Sequence, residues 1–506
     1  MKRKGNLYNN ICDISNIYNV YKDLRKSVNN KKEVLDFEIG LHSNICNLSK
    51  ELYNKKYTVG RYNIFLIREP KYRLIMSERF KDKLINHLVS RYILDVLDNN
   101  LISTNVATRK GKGGSYAFDK LIKYINELRK LEKKIYVLKI DISKYFYNID
   151  HDILKDKLRR KIKDSDALDI IYKIIDSTNC KYINEDIERI KEEEIKKVKN
   201  YGNSDYLIKE IKNIPNYKFG KGLPIGNMTS QFLAIFYLSD LDYYIKEVLG
   251  YKYYIRYMDD LVILSHDKKK IINDFKLLKE RIEKEKLNIN NKSKIYCLDS
   301  GFSFLGYKFC LCNGRLLIRY NNSTIKRIRK SLRGKKKNNY SLYYKSIRSY
   351  RGYFSKSNSE LKKELVVVEK SIFDKYINLK KDYKKFLVFI KSGLFYYTYD
   401  EDSLIMNYIF DYKIINGRVG FPVKNMEYKI KRKLETFNIS YVVLDGNEVI
   451  KIDYNSDNYV KYLGEAYDKY EKDECLKRIN EYVMRYVSES DDNYFKLEGM
   501  LRDMVS

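Results

Sequence analysis

Apolar residues along this chain follow two spacings, and the switches between them outline its elements. The stretch "KKIYVLKID" is apolar and β-prone from Ile135 up to Asp141, which predicts a strand that runs into a carboxylate. In "YKYYIRYMDDLVILS", Tyr251–Ser265, two apolar runs flank Met258-Asp259-Asp260 and predict two strands joined by a tight turn with the acids at its tip. The glycine-rich "GLPIGN" leads into "MTSQFLAIFYL", an apolar helix, and Asp150 stands where it would cap a helix over "HDILKDKL". "CLC" at Cys310 and Cys312 alternates as a strand would. Residues 182–213 are charged and helix-forming with few apolar anchors, which predicts a solvent-facing insertion at about 180–216. Strand-like and helix-like runs alternate over Lys384–Asp445, as in a small α/β domain. Further on, the spacing of Leu463, Tyr467, Tyr470, Leu476, Ile479 and Val483 predicts helices packed on protein. No repeat and no Pro-rich linker marks a boundary, so boundaries follow from motifs.

Charge changes this picture most. With 100 Lys and Arg against 67 Asp and Glu, the net charge of +33 favours a polyanionic partner, nucleic acid ahead of an anionic membrane surface. The excess is local: Arg315–Lys356 holds fourteen Lys and Arg and no acid. A solvated helix face would normally mix in acids, so phosphate contact is the expected role of Arg327, Arg329, Arg333, Lys335 and Arg351. From Asp445 onward the balance reverses, with fifteen acids against nine bases. No apolar run approaches the ~20 residues that span a bilayer, and the start "MKRKGNLYNNICDISN" lacks a secretory h-region. A cytoplasmic chain without a membrane partner is expected. Seven scattered cysteines read as reduced core thiols, and four histidines with no paired CxxC give no zinc site.

The two acidic segments carry the chemistry. Burying adjacent carboxylates costs several kcal/mol unless a cation compensates. If the strand ending at Asp141 neighbours the Asp259-Asp260 hairpin, three carboxylates converge on a hard, oxygen-rich site suited to Mg²⁺. Two such ions about 4 Å apart could activate a 3′-hydroxyl and stabilise a leaving pyrophosphate. Alone, "YMDD" reads equally well as a solvated turn. Lys71 and Arg73 alternate on one strand face, where surface ion pairing is one reading. Arg109, Lys112 and "GKGG" form a second basic turn able to hold template or phosphates.

In order along the chain, "EPKYRLIMSERFKDKLINHLVSRYI", "NVATRKGKGGSYAF", Asp141 with Phe146 five positions on, "GKGLPIGNMTSQFLAIFYLSDLD", "YMDD", "GFSFLGYKF" and "SIRSYRGYFSKSNS" resemble the finger, palm and thumb motifs of bacterial reverse transcriptases. The resemblance covers about Arg61–Ser359. It implies an α+β right-hand polymerase with an N-terminal helical region (1–60), fingers and palm (61–312), a basic thumb (313–384) and a C-terminal extension (385–506). It implies an RNA-directed DNA polymerase using two Mg²⁺, with Mn²⁺ as an alternative ion. Asp141 and Asp259 would contact both ions, with Asp260 alongside and the Ile142 carbonyl as a further ligand. Phe146 would exclude a 2′-hydroxyl, Lys71 and Arg73 would clasp the triphosphate, and Lys292 would offer a proton to pyrophosphate. Gly226 would let the nascent base pair approach closely. Many relatives carry Gln where this chain has Ile225, which implies weaker polar checking of that pair and reduced fidelity.

The "LPIGN" form resembles reverse transcriptases of diversity-generating retroelements and of antiphage defence. The long extension favours the defence class, with a structured noncoding RNA as template, dNTPs as substrates and cDNA as product. Template-independent or protein-primed synthesis is the alternative, as is a scaffold whose chemistry matters little. Within 385–445, "GLFYY" resembles the "GDFYE" of the N-terminal domain of MutS-type repair proteins. Phe395 falls on the aromatic that stacks into a duplex there, and Tyr397 replaces the accompanying glutamate; an unrelated α/β fold with Phe395 in its core is the other reading. The extension could also support oligomerisation.

Overall fold

The computed structural model describes residues 3–26, 32–68, 71–199, 204–338, 346–347, 349–350, 354, 356, 372–415, 417–446, 448–489 and 497–498. The chain divides into two compact units, Met1–Leu317 and Ile318–Ser506.

In the first unit, helix Ile14–Arg25 packs against helices Leu41–Tyr53 and Phe80–Val89, and their buried faces join one core that continues under the sheet described below. Strands β1 (Asn63–Arg68) and β2 (Tyr72–Ser77) form an antiparallel hairpin in register from Asn63–Ser77 to Arg68–Tyr72. The charged helix Lys181–Lys199 lies on that hairpin, which corrects the solvent-facing insertion expected from the sequence. Ile183 and Ile187, one turn apart, bury against Ile64, Leu74, Met76, Ile214 and Tyr217. Two well-placed anchors suffice to cover a two-stranded hairpin, which has only one face to bury.

The central sheet runs β4-β5-β3-β6, all antiparallel, from β3 (Tyr136–Asp141), β4 (Tyr254–Tyr257), β5 (Asp260–Ser265) and β6 (Lys294–Cys297). Helix Met228–Tyr237 is apolar nearly all round and correspondingly sunk in the core. Helix Lys268–Lys284 turns Ile271, Leu278 and Ile282 inward and packs on β3. Asp150 caps helix His151–Arg159 through the Ile153 N–H, as its sequence predicts. Beyond the sheet, β7 (Phe302–Phe304) and β8 (Tyr307–Cys312) form a second hairpin, and β9 (Arg315–Tyr320) carries the chain to the second unit.

In the second unit, helix Asn322–Asn338 buries Ile325, Ile328 and Leu332 on one stripe and leaves Arg327, Arg329 and Arg333 exposed. Lys335 is half-buried and donates to Ser346 Oγ at 2.7 Å. Arg351 lies outside the described residues. A five-stranded mixed sheet follows, ordered β12-β11-β10-β13-β14, from β10 (Leu387–Ser392), β11 (Phe395–Tyr399), β12 (Arg418–Pro422), β13 (Tyr441–Asp445) and β14 (Glu448–Ile452). The first four residues of its central strand β10, Leu387–Ile390, form an unbroken apolar run because both faces are covered there. Leu387 and Phe389 join the cluster under helices Asp400–Phe410 and Asn458–Glu489, while Val388 and Ile390 face helix Ile372–Asp382. The α/β reading of this region thus holds. Among the described residues the last helix is buried in its first turns, at Tyr459 and Ala466, whereas Leu476 and Ile479 are exposed.

The seven cysteines are free, but only Cys12 is buried, so the core-thiol reading fails for the rest. Among the described residues no helix is long and apolar enough to cross a membrane.

Candidate active site

The three aspartates are brought to one end of the central sheet by strand register. β4 and β5 form the hairpin, with Tyr257 paired to Asp260 and Met258-Asp259 as its tip; Met258 takes a left-handed φ of 57°. On the other side of β5, Asp260 lies directly across from Asp141 of β3. Both backbone groups of Asp141 are bonded away from β5. Its N–H donates to Ser293 Oγ (2.9 Å), and its carbonyl accepts from the Asn290 N–H (2.7 Å). Asp141 and Asp260 are therefore a non-hydrogen-bonded pair, in which opposed Cα atoms approach to about 4.5 Å and side chains come closest. Ile142 has the opposite disposition. The bonds Ser143 N–H to Asn288 O (2.8 Å) and Asn290 N–H to Asp141 O bracket its bridge to Ile289, so its carbonyl points to the side of the Asp259-Asp260 hairpin.

The electrostatics are those of a site short of positive charge. Burial pushes Asp260 up to about 6; Lys139 opposes the shift, and the charges of Asp259 and Asp141 add to it. Burial likewise raises Asp259, with the Asp141 charge adding to it, and raises Asp141 against the pull of Lys139 and Lys292. Lys139 shares the face of Asp141 two residues away and sets its Nζ 3.1 Å from Asp260 Oδ2 and 2.9 Å from the Ser303 carbonyl. Asp260 Oδ1 is buried with no hydrogen-bond partner. Among the described residues no three His, Cys, Asp or Glu side chains are already gathered into a metal-binding group. Like charges disperse, and Asp260 turns to an ammonium. The donor set is nevertheless hard oxygen with an orphaned buried carboxylate atom, and it fits Mg²⁺.

The surrounding residues come from three segments that bond to one another. Phe146 is half-buried and edge-on to Tyr145 (5.9 Å), in a short turn whose Phe146 carbonyl accepts from Leu223 N–H at 2.8 Å. The "GLPIGN" loop is thereby fixed beside Phe146, and Ile225 O accepts from Met76 N–H (2.8 Å), docking the loop on β2. Gly226 adopts φ 139°, and a Cβ there would lie 2.6 Å from the Met76 carbonyl. Glycine is thus required at position 226 by this internal contact alone. Lys71 and Arg73 are exposed next to and on β2, the strand on which that loop rests. Lys292 lines a cleft of about 470 Å³ with Asp141, Lys139, Lys308, Tyr296 and Phe302.

Arg109 departs from expectation. Its guanidinium grips Asp98 (Nε to Oδ1 2.5 Å, Nη2 to Oδ2 2.8 Å) and the carbonyls of Ile102 (2.7 Å) and Asn105 (2.8 Å). With its donors committed internally it anchors its loop and is not a phosphate contact; Lys112 is half-buried in the same turn. Phe395 is 42% exposed and stacks on Tyr397 (6.2 Å), over which Arg418 lies at 4.9 Å, so the core alternative for Phe395 is overturned. Sequence reasoning missed Lys139 and Ser293. The first was visible as a base two positions before Asp141 on one strand face; the second had no signal beyond its nearness to Lys292.

Residues 63–309 match the model of the reverse transcriptase (RNA-dependent DNA polymerase) family, and residues 370–478 match MutS domain I, wider on both sides than the 385–445 expected. No curated protein matches the chain in sequence. Among solved structures, an apo telomerase from Candida tropicalis, truncated from its C-terminal domain, aligns at 12% identity over 53% of this chain and 55% of that chain, with a TM-score of 0.35, too loose to bear on the site. The α+β architecture and the family match agree: over residues 63–309 the chain carries a domain that matches the reverse transcriptase (RNA-dependent DNA polymerase) family, on a fold of the right-hand polymerase kind.

Proposed function

We propose that the protein copies an RNA template into DNA by two-metal nucleotidyl transfer at Asp141, Asp259 and Asp260. The single observation that carries this reading is the cross-strand pairing of Asp141 with Asp260, adjacent to Asp259 at the hairpin tip. Asp141, Asp259 and the Ile142 carbonyl would hold Mg²⁺ (or Mn²⁺), with Asp260 alongside; when bound, the ions activate the primer 3′-hydroxyl and stabilise the leaving pyrophosphate. Lys139 keeps Asp260 neutralised beside them. Lys71 and Arg73 take the triphosphate, the half-buried Phe146 excludes a 2′-hydroxyl, and Lys292 supplies a proton to pyrophosphate. Ile225 offers the nascent pair no amide, so fidelity is reduced. Arg327, Arg329, Arg333 and Lys335 follow phosphates, and Phe395 stacks on nucleic acid.

The MutS domain I beyond the thumb supports the defence-associated class, with a structured noncoding RNA as template and association through the C-terminal extension, over the diversity-generating class. The test is primer extension on a defined RNA with dNTPs and Mg²⁺, run beside sequencing of the nucleic acid that copurifies. Extension abolished by chelation, and one recurrent structured RNA in the preparation, are expected. Failure to extend any primed RNA contradicts the polymerase; copurification of unrelated RNAs contradicts the dedicated template.

A further inference from the structure

We infer that Arg256 is a positioning residue that fixes the catalytic turn, an inference that rests on the polymerase reading above. Arg256 sits on β4, two residues before Met258, and is completely buried. Its Nε and Nη2 bind both oxygens of Asp242 at 2.7 and 2.6 Å, and Nη2 also donates to the Ile235 carbonyl at 2.7 Å. Its remaining arm, Nη1, donates to the Met258 carbonyl at 2.9 Å. Asp242 is itself buried and held by Tyr254 OH (2.6 Å) and Asn105 Nδ2 (3.3 Å). The backbone of Arg256 is gripped as well: its N–H donates to Thr104 O and its carbonyl accepts from Val106 N–H, each at 3.0 Å. The guanidinium is therefore a rigid bracket anchored to the core by three hydrogen bonds to two residues and reaching out to one atom of the turn.

That atom matters because of where it lies. The Met258 carbonyl belongs to the peptide linking Met258 to Asp259, so its direction sets the plane from which the Asp259 side chain departs. Met258 adopts φ 57°, a region that residues with a Cβ disfavour, and the turn would otherwise relax by rotating that peptide. Rotation would turn the carbonyl away and re-aim Asp259. A buried ion pair alone is weak evidence for a stabilising role, since apolar residues of similar volume often serve as well. What distinguishes this one is the arm spent on a strained turn that carries a catalytic acid.

The test uses the full-length protein and the variants Arg256→Lys and Arg256→Lys/Met258→Gly. Lysine keeps the charge but lacks the fork that reaches Asp242 and Met258 together. Displacement of Asp259 by even about 1 Å is expected to lower kcat by on the order of a hundredfold, with the dNTP KM unchanged. Glycine takes a positive φ without steric cost, so adding Met258→Gly is expected to recover most of the lost kcat without raising Tm. Mn²⁺ affinity without template, read by electron paramagnetic resonance, should fall and recover in the same order. Wild-type kcat in Arg256→Lys, or a double variant no faster than the single, overturns the inference. Should Arg256→Lys not fold, Asp242→Asn with and without Met258→Gly puts the same question, with the same two deciding results. Absence of synthesis by the wild type overturns the polymerase reading instead, and the Mn²⁺ series then decides the role of Arg256.

Discussion

Asp259→Asn preserves the shape of the side chain at the hairpin tip and removes its charge. DNA synthesis is expected to fall by at least about a hundredfold while the fold is retained, as circular dichroism and a primer-extension time course would establish. Activity within a few-fold of wild type would remove Asp259 from the chemistry. Phe146→Ala opens space in the turn bonded to the "GLPIGN" loop, and discrimination against ribonucleotides is expected to weaken by on the order of tenfold, measured as the ratio of kcat/KM for a dNTP and its ribonucleotide. Gly226→Ala meets both a φ of 139° and the Met76 carbonyl at 2.6 Å, so a loss of about 1–3 kcal/mol is expected in denaturant unfolding. The acids were legible in the sequence because charge inside an apolar strand demands an explanation. The commitment of Arg109 was not legible. Charge and a glycine-rich neighbourhood say nothing of whether a guanidinium is already satisfied, and here Asp98, eleven residues earlier, satisfies it.

Helix Lys181–Lys199 and the β1–β2 hairpin stand or fall together. Ile187 is fully buried in their shared cluster, and Ile187→Ala is expected to cost about 2–5 kcal/mol and to raise the KM for dNTPs, because the proposed triphosphate contacts Lys71 and Arg73 belong to that hairpin. An unchanged KM with lowered stability would separate the hairpin from nucleotide binding. At the level of sequence this helix looked like a solvated insertion because two isoleucines are easily lost among so many charges. The palm hairpin, by contrast, was readable down to its turn, since two apolar runs of strand length admit few other pairings. Ahead of helix Phe80–Val89, burial and the nearby charge of Asp82 raise Glu78 to about 8. A carboxyl whose folded pKa exceeds its unfolded value lends stability below the unfolded pKa and loses it as pH rises through the folded one. Stability is therefore expected to decline between about pH 4.5 and 8 through this group, and Glu78→Gln to flatten that decline; an unaltered pH profile of Tm would contradict the assignment.

Over the whole molecule, a net charge of +33 makes nucleic-acid affinity a matter of counterion release. Removing Arg327, Arg329 and Arg333, exposed on one helix, should reduce the slope of log K against log salt by about 2–3 if each meets a phosphate. An unchanged slope would make that face a bystander. The C-terminal sheet was foreseen as α/β from its alternating runs, but the reach of the MutS domain I match to both sides of 385–445 was not, because the flanking helices carry no motif of their own. The central claim concerns the acid trio, and anomalous diffraction from crystals of the protein with primed RNA, a dNTP and Mn²⁺ tests it most directly. Two manganese peaks are expected, both in contact with Asp141 and Asp259. Manganese bound elsewhere, with that pair of carboxylates bare in the presence of nucleotide, would contradict it.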